Sequence, residues 1–170
     1  MAVLAERPAG LGIDLGSGGG VPGLVLAGEL PAWRWELVET SNRRAAFLER
    51  AVRRLDLAAR VAVRHQRAED LGRTAEARSR ADVVTARSFG PPAVTAECAA
   101  PLLRAGGLLV VSEPPGGGLD RWDEAGLATL GLALAEHRPG PPALAVLAQA
   151  GPCPDRYPRK AGLPAKRPLW

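Results

Sequence analysis

Residues 11–30 read LGIDLGSGGGVPGLVLAGEL, a short apolar strand, Leu11–Leu15, that breaks into glycines and resumes as a helix over Val21–Leu30. Pro22 suits the first helical turn, where its fixed φ is already helical and its missing N–H has no partner to lose. A strand ending in such a loop lets the backbone approach a nucleotide-like ligand without Cβ collisions. The helix N-terminus adds free N–H groups at the same place. The stretch therefore predicts a ligand site at the carboxyl end of the first strand of an α/β sheet.

Two registers of the loop compete. Gly18, Gly20 and Gly23 spell G-x-G-x-x-G, the dinucleotide fingerprint, but that register begins late and carries its last glycine into the helix. The alternative, acid-x-G-x-G-x-G from Asp14 through Gly16, Gly18 and Gly20 with Ser17 between, begins where the strand ends and fits the strand–loop–helix geometry better. S-adenosylmethionine has no pyrophosphate; it calls for a glycine turn plus acids for its amino group and ribose hydroxyls. Asp14 and Glu39 supply such acids, and Glu39, ending the second strand, is spaced as a ribose-binding carboxylate that would serve NAD equally. Glu69 and Asp70 follow the third strand, where this fold reads the adenine edge. Structural alternatives stand beside these roles: Asp14 as a cap on the loop, Glu69 and Asp70 as the start of a helix.

Outward from the loop, apolar runs alternate with helical patterns. Trp33–Glu39 is the second strand, and Ser41 offers an N-cap for a helix to about Leu55 whose apolar face is Phe47, Leu48, Ala51, Val52 and Leu55. Val61–His65 is the third strand, Ala68–Arg78 a short polar helix or loop, and Ala81–Ala86 a buried fourth strand. A helix from about Pro92 to Arg104, stopped by Gly106-Gly107, leads to a fifth strand, Leu108–Ser112. After a Pro/Gly-rich loop, Glu113–Gly118, come a helix over Leu119–Leu130 and strands at Leu132–Ala135 and Ala143–Gln149. Five βα units closed by two strands without a helix between them imply a Rossmann-like α/β fold of the class I methyltransferase order. Its sheet is seven-stranded and mostly parallel, with an antiparallel edge strand and helices on both faces.

At 170 residues the chain fits one domain, residues 1–150, with a basic, Pro-containing tail over 151–170. That tail holds Arg156, Arg159, Lys160, Lys166 and Arg167 against Asp155 alone, which leaves 17 bases and 17 acids in the rest of the chain. Such a tail suits phosphate contact through counterion release, or is a solvated end. Cys98 and Cys153 have neither C-x-x-C spacing nor a histidine at ligand distance, so no metal site is expected. His65 and His137 lie far apart without Cys or Asp partners, and structural or surface roles suit them. The first residues carry Glu6 and Arg7 too early for a secretory segment, and no apolar run reaches the ~20 residues of a membrane span, which predicts a cytoplasmic protein without membrane partners.

DLGSGGGVPGLVLA (14–27), LVETSNRRAAFLERAVRRLDL (37–57), RAED (67–70), DVVTARSF (82–89) and RYPRKAGLPAKRPL (156–169) together resemble the ribosomal RNA small-subunit guanine-N7 methyltransferase family, also called glucose-inhibited division protein B. The resemblance runs from about Leu11 to Leu169. It implies methyl transfer from S-adenosyl-L-methionine to N7 of a guanine in 16S ribosomal RNA, with that RNA as partner through the basic tail. Carried over by position, Gly16, Val21, Ala68, Glu69 and Arg87 match the family's cofactor-contacting residues, and Glu39 its acid after the second strand. Guanine N7 has an in-plane lone pair and loses no proton on attack, so alignment suffices and no catalytic base is needed. Arg87, ending the fourth strand, is the candidate catalytic residue, contacting the cofactor or orienting a phosphate or guanine O6; its bland alternative is a surface arginine at the strand edge.

The chain departs from the family pattern twice. Only about ten residues precede the glycine loop where the family has several dozen, as in a short, N-terminally truncated member. Where the family commonly reads A-L-K-G after the fifth strand, this chain has Val111-Ser112-Glu113-Pro114, a charge reversal expected to weaken contact with RNA phosphate. Two other functions are therefore weighed: methylation of a different RNA or a small molecule, and a non-catalytic binding protein that keeps the cofactor fold. Cofactor binding separates the second from the rest, and acceptor screening separates the first.

Overall fold

The computed structural model describes residues 8–114 and 118–170. The expected features at Glu6, Arg7 and the centre of the Pro/Gly-rich loop lie outside the described residues. Strands β1 (Gly10–Leu15), β2 (Trp33–Glu39), β3 (Val61–His65), β4 (Ala81–Arg87), β5 (Leu103–Ser112), β6 (Leu132–Arg138) and β7 (Leu144–Gln149) form one sheet in the order β3-β2-β1-β4-β5-β7-β6. The pairs from β3 through β5 are parallel, and β7 runs antiparallel to both β5 and β6. The helices are α1 (Gly23–Glu29), α2 (Asn42–Arg54), α3 (Ala68–Gly72), α4 (Pro92–Ala99), α5 (Glu124–Thr129) and α6 (Leu163–Lys166). The class I methyltransferase architecture expected from the sequence is the one observed.

Each sheet face has its own core. Period-2 alternation in β2 puts Trp33, Trp35 and Leu37, all 1% exposed or less, on one face. The two indoles stack there at 6.1 Å, against Leu48 and Val52 of α2 and Leu24 of α1. The other face gathers Ile13, Val84, Leu102, Leu109, Leu127 and Leu147, joined by Tyr157 from the tail. Consecutive βα units run outward from β1 through β2 to β3, then jump to β4 on the other side. The switch between β1 and β4 opens a crevice at their carboxyl ends.

Several local expectations are corrected. In α2 the buried stripe is Ala45, Leu48 and Val52; Phe47 is 45% exposed because at 100° per residue it falls off that stripe, and Leu55 is 56% exposed because it is the C-cap, past the last helical residue. Ser41 is at the N-cap position, but its side chain makes no capping bond there. Helix α4 stops at Ala99 instead of near Arg104: Pro101 has no N–H to donate, a 3₁₀ turn follows over Ala100–Leu102, and β5 begins at Leu103. Gly106 and Gly107 thus lie inside β5, where its register with β4 shifts between Ala81 and Val83. The helix expected over Leu119–Leu130 divides into a 3₁₀ turn, Leu119–Arg121, and α5, because Asp123 caps a new helix by accepting from the Gly126 N–H at 2.6 Å.

The tail folds back onto the body. The Glu97 side chain is fully buried on α4 and takes three bonds from Arg159: N–H at 2.9 Å, Nε at 2.8 Å and Nη2 at 2.6 Å. Arg78 donates to the carbonyl of Tyr157 at 2.6 Å, and Glu69 accepts from the Gly162 N–H at 2.8 Å. A solvated end does not describe residues so bound. Among the described residues no helix is long and apolar enough to cross a membrane.

Candidate active site

The glycine loop is shaped by what surrounds it. Gly16 and Gly20 have φ of +65° and +89°, a region that penalises any Cβ. A Cβ at Gly16 would lie 2.9 Å from the Phe89 ring, and one at Gly20 would collide with Leu24. Ser17, 2% exposed, donates from Oγ to the Asp14 carbonyl at 2.8 Å and from its N–H to the Val38 carbonyl at 3.0 Å, tying the loop to β1 and β2.

Two carboxylates anchor the loop in different ways. Asp14 is 1% exposed; its Oδ1 accepts from Thr85 Oγ1 at 2.7 Å and its Oδ2 from the Gly23 N–H at 3.2 Å, at the first residue of α1. Burial pushes its pKa up to about 6, against the bonds from Thr85, Ser17 and Gly23 and the positive charge of Arg87. The structure thus places the Asp14 carboxyl beneath the loop, engaged by β4 and α1. Glu39 accepts from the Gly18 N–H through Oε2 at 2.9 Å, and from the Thr40 and Ser41 N–H groups through Oε1 at 2.8 Å each. Burial raises its pKa, but the Ser41, Gly18 and Thr40 donors outweigh burial and hold it below the usual glutamate range, so it stays ionised. One side chain thereby fixes the glycine loop and satisfies the start of α2, the work expected of Ser41.

Two clefts open at the carboxyl ends of the strands. The smaller, about 210 Å³, lies between Gly16, Glu39, Thr40, Arg44, Ala68 and Phe89. The larger, about 580 Å³, lies beyond β4 between Arg87, Phe89, Thr95, Glu113, Arg121 and Trp122. Ser88 and Phe89 line both. Ser88 has a φ of +55°, a sharp turn that brings Phe89 back over Gly16 as β4 ends.

Of the residues singled out in the sequence, Gly16, Glu39 and Ala68 meet at the smaller cleft, and Arg87, exposed, lines the larger. Gly18 and Gly20 shape the loop behind them. Val21 is 44% exposed and lines neither cleft. Glu69 is 7% exposed, held by Gly162 and 3.6 Å from Arg67 Nη2, so its carboxylate is directed to the tail. Sequence reasoning missed Arg44, Phe89, Arg121 and Trp122. Phe89 had a signal, an aromatic two residues beyond the last residue of a buried strand; Arg121 and Trp122 had none, since only folding brings them to β4.

The lining of the smaller cleft suits the ribose hydroxyls of a cofactor. Glu39 is an ionised acceptor with lone pairs beyond its three backbone donors, and the Gly16 backbone forms a cradle with no room for a Cβ.

Comparison with known proteins agrees with this geometry. Residues 2–113 match the family model described as rRNA small subunit methyltransferase G. The chain is 38% identical over 173 residues to ribosomal RNA small subunit methyltransferase G of Chloroflexus aggregans, covering 95% of this chain and 70% of that one. It is 40% identical over 177 residues to the protein of the same name from Rubrobacter xylanophilus, covering 96% and 66% respectively. The antibiotic-resistance methyltransferase Kmr superposes with a TM-score of 0.66 over 84% of this chain and 87% of its own, at 16% identity, a likeness of fold. An S-adenosylmethionine-dependent methyltransferase fold, a matching glycine loop and relatives of this identity lead to one conclusion: the chain belongs to the rRNA small subunit methyltransferase G family.

Proposed function

We propose that this protein transfers the methyl group of S-adenosylmethionine to N7 of a guanine in small-subunit ribosomal RNA, in the cytoplasm where ribosomes are assembled. The observation that carries the reading is the pair of clefts meeting at Ser88 and Phe89, one lined by Glu39 for a ribose-bearing cofactor and one bearing Arg87 for an anionic acceptor. S-adenosylmethionine, when bound, supplies an electrophilic methyl on a sulfonium. Glu39 accepts from the ribose hydroxyls, Gly16 and Ala68 leave room for the cofactor, and Phe89 covers the loop. N7 attacks with a lone pair that is already free, so these residues have only to align it and exclude water. Arg87 contacts the acceptor as the candidate catalytic residue, its guanidinium suited to phosphate or guanine O6. Arg156, Lys160, Lys166 and Arg167, all exposed, extend a positive surface for the RNA backbone.

The test offers labelled S-adenosylmethionine with three acceptors: naked small-subunit RNA, the assembled small subunit and a panel of small-molecule nucleophiles. Label in either RNA acceptor is expected. Transfer only to small molecules, or binding without transfer to any acceptor, would overturn the proposal.

A further inference from the structure

The larger cleft carries an arrangement that the methyl-transfer reading does not use. Glu113, one residue beyond β5, has a side chain 1% exposed, and a carboxylate so buried needs partners. It has two, from consecutive residues of the segment before α5: Trp122 donates from Nε1 to Oε1 at 2.8 Å, and Arg121 pairs with Oε2 through Nη1. The backbone is pinned as well, since the Glu113 N–H donates to the Ala143 carbonyl at 2.8 Å and the Arg121 carbonyl accepts from the indole of Trp170 at 3.3 Å. The carboxylate is therefore not a free anion facing RNA. It fixes Arg121, whose side chain remains 34% exposed and lines the same cleft as Arg87.

Resting on the methyl-transfer reading, we propose that this cleft is the acceptor-nucleotide site, that Arg121 is its second substrate-contacting cation, and that Glu113 is a positioning residue that aims Arg121. The chemistry that fits is one guanine nucleotide of an RNA strand. The volume of about 580 Å³ is within the range of small-ligand sites. Phe89 offers an aromatic surface for a flat base. The two guanidiniums suit the acceptor oxygens of O6 and a phosphate, with Glu113 neutralising one charge so that a single nucleotide is favoured over a polyphosphate.

The experiment compares wild type with Arg121→Ala, Arg121→Lys and Glu113→Gln. It measures kcat and KM for small-subunit RNA, S-adenosylmethionine affinity by calorimetry, and melting temperature. The expected result for Arg121→Ala is a KM for RNA raised about tenfold or more, with kcat changed far less and cofactor affinity unchanged, beside a lower melting temperature because the buried Glu113 carboxylate keeps only Trp122. Lys should restore part of the loss, and Glu113→Gln, which keeps an acceptor for Trp122 but frees Arg121, should raise KM by a smaller factor. A second readout needs no turnover: guanosine 5′-monophosphate, titrated in the presence of S-adenosylhomocysteine, should shift the indole N–H resonance of Trp122, assigned with Trp122→Phe, and leave those of Trp33 and Trp35 in place. An unchanged KM in Arg121→Ala, or a Trp122 resonance indifferent to the nucleotide, overturns the inference. If wild type methylates no RNA, the functional reading fails instead, and the nucleotide titration alone decides this one.

Discussion

Arg87 was legible because it ends a buried run, ADVVTA, in a fold whose fourth strand delivers its carboxyl end to the crevice; the structure has it exposed there, beside Ser88 and Phe89. Arg87→Ala is expected to reduce methyl transfer by at least roughly tenfold, about 1.4 kcal/mol of transition-state stabilisation, with little change in melting temperature and partial rescue by Lys. Turnover and thermal melts on the same preparations check this; full activity in the alanine variant would remove the role. Asp14 was legible as a residue and not as an environment, because its acceptors are spent on Thr85, 71 positions away, and on Gly23. Its carboxyl, raised from 3.8 to about 6, has the folded state holding a proton that the unfolded chain gives up. Its ionisation therefore costs stability progressively as pH rises from about 4 to about 6, and the full cost, about 3 kcal/mol, stands above that window. Asp14→Asn should abolish this part of the pH dependence. Denaturant unfolding of both proteins at pH 4 and pH 7 checks it: the stability difference should move in favour of the Asn variant at the higher pH, and a constant difference would contradict the assignment.

Elements whose apolar period matches their burial read correctly, as in β2 and β3, whose bounds are those expected. Those that failed were decided by one residue against a longer pattern: Pro101 ending α4, and Asp123 starting α5 afresh. The tail escaped sequence reading because its partners are on α3, on α4 and in the stretch between α3 and β4, and periodicity carries no information about them. Arg159 had been grouped with the RNA-facing bases, yet it closes over Glu97. Arg159→Ala should therefore destabilise the fold by about 3 kcal/mol, the low end for breaking a buried pair because the N–H at position 159 still donates. For a chain of this size that lowers the melting temperature by roughly 10 °C. Replacing both Glu97 and Arg159 with Met should cost less than Arg159→Ala alone, since no buried charge is left unpaired. Equal losses in the two variants would show that the charge is not the cause.

Across the whole molecule, on the proposed reading, the exposed bases of the tail and the clefts at the strand ends would divide the work of holding RNA and presenting one base. Replacing Arg156, Lys160, Lys166 and Arg167 with Gln should weaken RNA binding and flatten its salt dependence while leaving cofactor affinity and melting temperature intact, as titrations at several salt concentrations would show. An unaltered salt slope would confine the tail to a structural part. The fold class was legible because it follows the order of elements, and so were Gly16 and Glu39 of the smaller cleft, at the ends of the first two strands. On the acceptor side Arg87 was legible but Arg121 and Trp122 were not, because that cleft joins β4, the end of β5 and the segment before α5, which lie apart in sequence. The most direct test of the central claim is the identity of the product: small-subunit RNA incubated with the protein and labelled S-adenosylmethionine, digested to nucleosides and separated by chromatography. The account predicts that the label co-migrates with 7-methylguanosine and falls at least roughly tenfold with Arg87→Ala; label in any other nucleoside, or none in RNA, would contradict it.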